Sequence, residues 1–240
     1  MAGQFLLQRE NRVATLIFNR PEKRNPLNEE VVLEFESLLQ EIRDDREIRV
    51  LIVTGSGNTF SAGADLSTLK EVTDPAERQR LFAPLSKRRS RLIGRALTLL
   101  ASLEQFTIAA VNGYAIGGGW GIALGCDMRI AVAGGQFWFP EVDLGVPLSP
   151  EATGLLAAQC GPAIAKEVII TCRRYTAEEL LPLGLVNRVV EKARLYPTVR
   201  EIAHAIAAKN PVAVMGAKTT INAVSTGGRA LRLDLLLDRG

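Results

Sequence analysis

Thr107-Ile-Ala-Ala-Val-Asn-Gly-Tyr-Ala-Ile-Gly-Gly-Gly-Trp-Gly-Ile-Ala-Leu-Gly-Cys-Asp127 sets three consecutive glycines, Gly117 to Gly119, between an apolar run of strand character and a run of helix character. Glycine permits backbone dihedrals that other residues avoid and lets a ligand approach the main chain. A helix start adds unpaired N–H donors and a partial positive charge. Such a junction suits an oxygen that carries or develops negative charge. A close-packed turn is the competing reading of the segment taken alone.

The same grammar precedes it. Arg49-Val-Leu-Ile-Val-Thr54 is an apolar run of strand length, followed by the glycine-bearing loop Gly55 to Leu66. Upstream, Val13 to Phe18 reads as a short strand and Arg20 to Pro26 as a loop with two prolines. Asn28 then caps an amphipathic helix to about Arg43, with Val31, Val32, Phe35, Leu38, Leu39 and Ile42 on one face. Downstream, Met128 to Val132 is a further strand, and Ser149-Pro150 opens a helix with a serine cap and proline in its first turn. Alternating strands and helices predict an α/β layered fold with buried, largely parallel strands. From Ala177 the pattern is mostly helical, broken at Gly184 and Pro211. Two regions are expected: a core over 1–190 and a helical C-terminal segment over 191–240. In the latter, Ile202, Ile206, Val212, Leu231, Leu235 and Leu236 offer an apolar face for self-association or intrachain packing.

Composition narrows the function classes. The chain has 240 residues, 47% of them hydrophobic, with 29 basic and 26 acidic residues giving a net charge of +3. That balance carries no electrostatic footprint for nucleic acid. The basic cluster Lys87, Arg88, Arg89, Arg91 and Arg95 falls around much of a helix and reads as a solvated face, with an anion-holding patch as the alternative. Cys126, Cys160 and Cys172 are widely spaced, which supports neither a metal site nor a disulfide framework and fits a reducing, cytoplasmic setting. Met1 to Glu10 lacks a signal-peptide pattern. The uncharged stretch Gln105 to Cys126 is long enough to test as a membrane span, but its asparagine and glycines favour a buried strand and turn. No membrane or nucleic-acid partner is expected.

Neither glycine loop completes a Walker or dinucleotide-binding fingerprint. The only histidine, His204, lies in a C-terminal helical run and reads as a surface or packing residue, so a Ser-His-Asp hydrolase is not expected. What remains is a pair of strand-ending loops whose backbone N–H groups can converge on one oxygen, an oxyanion hole.

Six motifs then occur in order: Arg20-Pro-Glu-Lys-Arg-Asn-Pro-Leu27, Phe60-Ser-Ala-Gly-Ala-Asp-Leu66, Ala109-Ala-Val-Asn-Gly-Tyr-Ala-Ile-Gly-Gly-Gly119, Cys126-Asp-Met-Arg-Ile-Ala131, Phe139-Pro-Glu-Val-Asp-Leu-Gly145 and Ala177-Glu-Glu-Leu-Leu-Pro-Leu-Gly-Leu-Val186. Through them the chain resembles the crotonase, or enoyl-CoA hydratase/isomerase, superfamily over roughly residues 5 to 225. The resemblance implies a spiral of repeated ββα units with a C-terminal helical segment, assembled as a homotrimer or dimer of trimers. It implies an acyl-CoA thioester as ligand, with coenzyme A arriving as part of the substrate and no separate cofactor. The N–H groups of Ala64 and Gly118 would hold the thioester oxygen, with Gly117 beside them. Ala62, Ala64, Asp65, Leu66 and Ser67 would line the adenine and pantetheine path, and Arg24 would lie near the nucleotide.

Hydratases of this family use two glutamates. The place of the first is Gly121 here; the second matches Glu141, the expected acid or base, its pKa raised if Phe137, Trp138 and Phe139 bury it. A lone carboxylate suits a proton shuttle, so an enoyl-CoA isomerase is the expected activity. The alternatives are a specialised hydratase retaining one catalytic glutamate, or a crotonase-like protein that binds acyl-CoA without transforming it. Asp127 and Asp143 are candidate replacements for the first glutamate, of which Asp127 reads as structural in the Cys-Asp-x-x-Ile-Ala pattern. Relatives with an aspartate nucleophile would carry it where this chain has Ser149; Glu151 sits at a helix start, where a carboxylate is favourable in any case. Trp120 reads as core packing, with narrowing of the acyl pocket as the alternative. Family members usually continue past Leu235 with a helix rich in charged residues; this sequence runs to Asp238-Arg-Gly240.

Overall fold

A computed structural model describes residues 3–67 and 74–225. The expected apolar positions Leu231, Leu235 and Leu236 lie outside the described residues.

The main sheet has six strands in the order β1-β2-β4-β7-β9-β12. β1 (Phe5–Glu10) and β2 (Val13–Phe18) form an antiparallel hairpin, turned by Asn11 and Arg12 at positive φ. β4 (Val50–Gly55), β7 (Phe106–Val111), β9 (Met128–Val132) and β12 (Arg188–Val190) then add in parallel. All six residues of β4 are buried, because both faces of a parallel sheet are covered. Alternation divides them: Leu51 and Val53 join the core beneath α1 (Glu29–Asp44) and α2 (Pro75–Ser102), while Val50 and Ile52 face α6 (Lys192–Ala207). Each fully buried aliphatic side chain contributes roughly 1.5–3 kcal/mol of transfer free energy.

A second layer repeats the strand order on a smaller scale. β5 (Thr59–Ser61), β8 (Tyr114–Ile116), β10 (Gln136–Trp138) and β11 (Tyr175–Thr176) make a four-stranded sheet, and β3 (Pro26–Leu27) pairs in parallel with β6 (Gly63–Ala64). Thus β7, β8 and α3 (Gly118–Gly125) form one ββα unit, and β9, β10 and α4 (Pro150–Ile170) the next. Asn28 caps α1 by accepting from Val31 N at 2.9 Å, and Ser149 caps α4 by accepting from Ala152 N at 3.2 Å, both as the sequence predicts.

From Ala177 the described chain is mostly helical, as the sequence predicts, with one strand added. Only α5 (Ala177–Leu180) is helical before the edge strand β12, whose three residues are too few to show a period but continue the ladder of β9. Rather than hanging free, α6 covers the outer face of the sheet with Leu195, Val199, Ala203 and Ala207. Pro211 begins α7 (Pro211–Ser225), on which Val212, Ile221 and Val224 stay exposed.

Candidate active site

The loops converge because side chains and missing side chains force them together. Buried Asn25, at φ 52°, donates from Nδ2 to the Thr59 carbonyl at 2.7 Å and to that of Ser56 at 3.1 Å. Its own carbonyl accepts from Ser61 Oγ at 2.8 Å, so the β3 strand is fixed against β5 and β6. Gly63, at φ 73°, has no room for a side chain: a Cβ there would stand 2.5 Å from the Ile116 carbonyl oxygen. β6 is therefore pressed against the end of β8, which runs directly into the glycine triplet.

This places two backbone donors in one cavity. Asp65 N donates to the Leu27 carbonyl at 3.1 Å, and consecutive N–H groups of a strand point to opposite edges, so that of Ala64 points away from β3. Gly118 is the first residue of α3, where an N–H has no intrahelical acceptor. Ala64 and Gly118 line the same cavity together with Gly117 and Glu141.

Glu141 arrives on the turn after β10. The turn is closed by Leu144 N on the Pro140 carbonyl at 3.0 Å and Val146 N on the Glu141 carbonyl at 2.9 Å. Its Oε1 lies 2.6 Å from where a Cβ on Gly117 would stand, so glycine at φ 51° is what lets the carboxylate reach the junction. The Oε2 atom is out of contact with solvent and has no hydrogen-bond partner. Burial pushes the carboxyl up from 4.5 to about 7, only partly offset by a backbone hydrogen bond. A buried, unpartnered acid of that strength exchanges protons near neutrality.

The enoyl-CoA hydratase/isomerase family model matches residues 8–235. The chain belongs to the enoyl-CoA hydratase/isomerase family. It is 39% identical over 219 residues to the short-chain-enoyl-CoA hydratase of Clostridium acetobutylicum, covering 90% of this chain and 80% of that one. It is 37% identical over 218 residues to the crotonyl-CoA hydratase of Syntrophomonas wolfei, covering 90% and 80%. Among solved structures, DspI of Pseudomonas aeruginosa superposes with a TM-score of 0.84 at 31% identity, covering 99% of this chain and 87% of that one. The crotonase fold expected from the motifs is thus shown.

Of the positions that the family resemblance assigns, Ala62, Ala64, Leu66, Gly117, Gly118 and Glu141 line the cavity. Arg24, Asp65 and Ser67 do not. Arg24 is exposed at φ 64°, and its carbonyl accepts from Ala62 N at 2.9 Å. Burial works against the charge on Asp65, but hydrogen bonds from Ser67 and the Arg20 and Arg89 guanidinia outweigh it and hold the carboxyl below its usual range.

At Gly121 a Cβ would meet Leu97 Cδ1 and Ala152 Cβ, each at 3.4 Å, and both residues line the cavity. The first-glutamate position therefore ends in an apolar corner. Trp120 is fully buried, stacked on Phe139 with ring centroids 4.4 Å apart, which makes it core. Asp127 accepts from Thr107 N at 2.7 Å and from its Oγ1 at 2.8 Å and pairs with Lys218, away from the cavity. Asp143 is exposed; Ser149 lines the cavity, whereas Glu151 lies against Gly94 outside it. Among the described residues no helix is long and apolar enough to cross a membrane and no acid, histidine or cysteine cluster could hold a metal.

The basic cluster corrects the sequence reading at one residue. Arg88 and Arg95 form exposed pairs with Glu29 and Glu36, as a solvated face would, but Arg89 turns into the cavity. Its spacing of four from Ile93 and eight from Leu97, both cavity-lining, is the signal that could have found it.

Proposed function

We propose that this protein moves the double bond of a 3-enoyl-CoA to position two, with Glu141 as the only proton carrier. Glu141 takes a proton from C2; the electron pair spreads over C2 to C4 and onto the thioester oxygen. The N–H groups of Ala64 and Gly118 hold that oxygen as charge develops. The proton returns from Glu141 to C4, leaving the double bond between C2 and C3. With a pKa of about 7, the carboxyl is near even between its two forms at neutral pH, which serves both halves of the transfer. One observation carries the reading: the unpartnered Glu141 carboxylate sits at the Gly117–Gly118 junction, while Gly121 and its apolar surroundings provide no second acid. Glu29, the other acid among the described residues that line the cavity, is paired with Arg88.

Hydration by the same glutamate is the second reading, favoured by the names of the two hydratase relatives. The test follows the 2-enoyl thioester chromophore with 3-enoyl-CoA and 2-enoyl-CoA as separate substrates. Its appearance from 3-enoyl-CoA, lowered about 10²–10⁴-fold in Glu141→Gln, is the expected result. Its loss from 2-enoyl-CoA without isomerisation would replace the proposal with hydration, and silence on both with tight binding would leave a non-catalytic acyl-CoA binder. Assembly as a homotrimer or dimer of trimers belongs to the same reading and is checked by sedimentation velocity.

A further inference from the structure

Arg89 is the charged residue that the proposed reaction leaves without a role. Arg89, Ile93 and Leu97 turn one face of α2 into the cavity. Ile93 Cγ1 lies 3.6 Å from the Cβ position of Gly118, so Arg89 stands one helical turn, about 5.4 Å, further along. The Nη1 of Arg89 is out of contact with solvent and has no hydrogen-bond partner.

The nearby acids Asp65 and Glu29 have other partners. Asp65 feels both Arg20 and Arg89, but its Oδ1 accepts from Ser67 N at 3.0 Å and its Oδ2 lies 4.0 Å from Arg20 Nη1. The Arg20 Nη1 is likewise buried without a hydrogen bond. Glu29 is held by Arg88. Arg20 and Arg89 thus both act on the Asp65 carboxylate, and each keeps a buried Nη1 without a hydrogen bond beside a largely apolar cavity. The hydroxyl-bearing Ser86 and Ser90 line the cavity with Arg89.

We infer that Arg89 receives a carboxylate borne on the acyl group, so that the preferred substrate is the monothioester of a short dicarboxylic acid. The inference rests on the acyl-CoA reading of the cavity. A planar guanidinium takes a carboxylate in a two-point contact, and a buried unpaired N–H gains most from a charged acceptor. Coenzyme A phosphates are the other source of anionic oxygen. The pantetheine arm, extended, carries them several helical turns' length from the thioester oxygen, whereas Arg89 is one turn from Ile93, whose side chain lies beside Gly118.

Calorimetric binding of glutaryl-CoA, pentanoyl-CoA and free coenzyme A to wild type, Arg89→Gln and Arg89→Lys tests this, with circular dichroism confirming that each variant folds. Wild type is expected to hold glutaryl-CoA roughly tenfold or more above pentanoyl-CoA. That ratio collapses toward one in Arg89→Gln and is partly kept in Arg89→Lys. Equal affinities in wild type overturn the inference while leaving acyl-CoA binding intact. A preference for glutaryl-CoA that survives in Arg89→Gln overturns it too. A uniform loss for all three ligands in Arg89→Gln, with the ratio preserved, moves Arg89 to the coenzyme phosphates. Binding of none of the three by wild type defeats the acyl-CoA reading itself.

Discussion

Asp127 and Glu141 are carboxylates largely removed from water on the same scaffold, and they are treated in opposite ways. Asp127 receives two hydrogen bonds from Thr107, and its Oδ2 lies 2.8 Å from Lys218 Nζ, which also donates to the Gln105 carbonyl at 2.8 Å. Glu141 has an oxygen with no partner at all and a carboxyl raised to about 7. The satisfied charge ties α7 to the sheet. The unsatisfied one is free to exchange its proton, and the fold sets it beside the two backbone donors that line the cavity.

The comparison is broken most forcefully from the Asp127 side. Lys218→Met leaves Asp127 buried without its cation and is expected to destabilise the protein by about 3–5 kcal/mol, read from the midpoint of denaturant unfolding. A shift below about 1 kcal/mol would mean that Thr107 alone satisfies the carboxylate.

Glu141 behaves inversely. Its carboxyl is raised in the folded protein from 4.5 to about 7, so between those values the native chain holds a proton that the unfolded chain has lost. Stability should fall as pH rises through that window, by on the order of 3 kcal/mol, and remain lower above it. Glu141→Gln lacks this term. Urea titrations at pH 4 and pH 8 should therefore show the variant gaining on wild type only at the higher pH; equal differences at both would remove the claim that burial raises Glu141.

The smallest effect is expected at the surface. Arg95 pairs with Glu36 at 2.6 Å but is more than half exposed. Arg95→Ala should change the unfolding free energy by less than about 1 kcal/mol and leave turnover unaltered. A larger loss would show that the outer charges of α2 matter to the helix that also carries Arg89.

Much of this was legible in the sequence. Apolar runs marked β4, β7 and β9, and cap chemistry at Asn28 and Ser149 marked the starts of α1 and α4, because those signals are local. The ordered motifs led to Glu141, Ala64 and Gly118, which the structure brings into one cavity. The short strands β5, β6 and β8 were hidden inside what read as glycine loops, since two or three residues show no period; their pairing is decided by tertiary contacts such as Gly63 against Ile116. Arg89 was hidden by its neighbours. In a run of arginines the one sign of which faces inward is the spacing of four to Ile93 and eight to Leu97, and it speaks only once those two are seen to line the cavity.

Hydrogen exchange at C2 of butanoyl-CoA in heavy water reads most directly whether Glu141 moves a proton beside the thioester oxygen. Wild type should wash deuterium into C2, at a rate that climbs with pH and levels off above about 7. Glu141→Gln should bind the same thioester without exchange. Exchange in the variant at the wild-type rate would contradict Glu141 as the proton carrier.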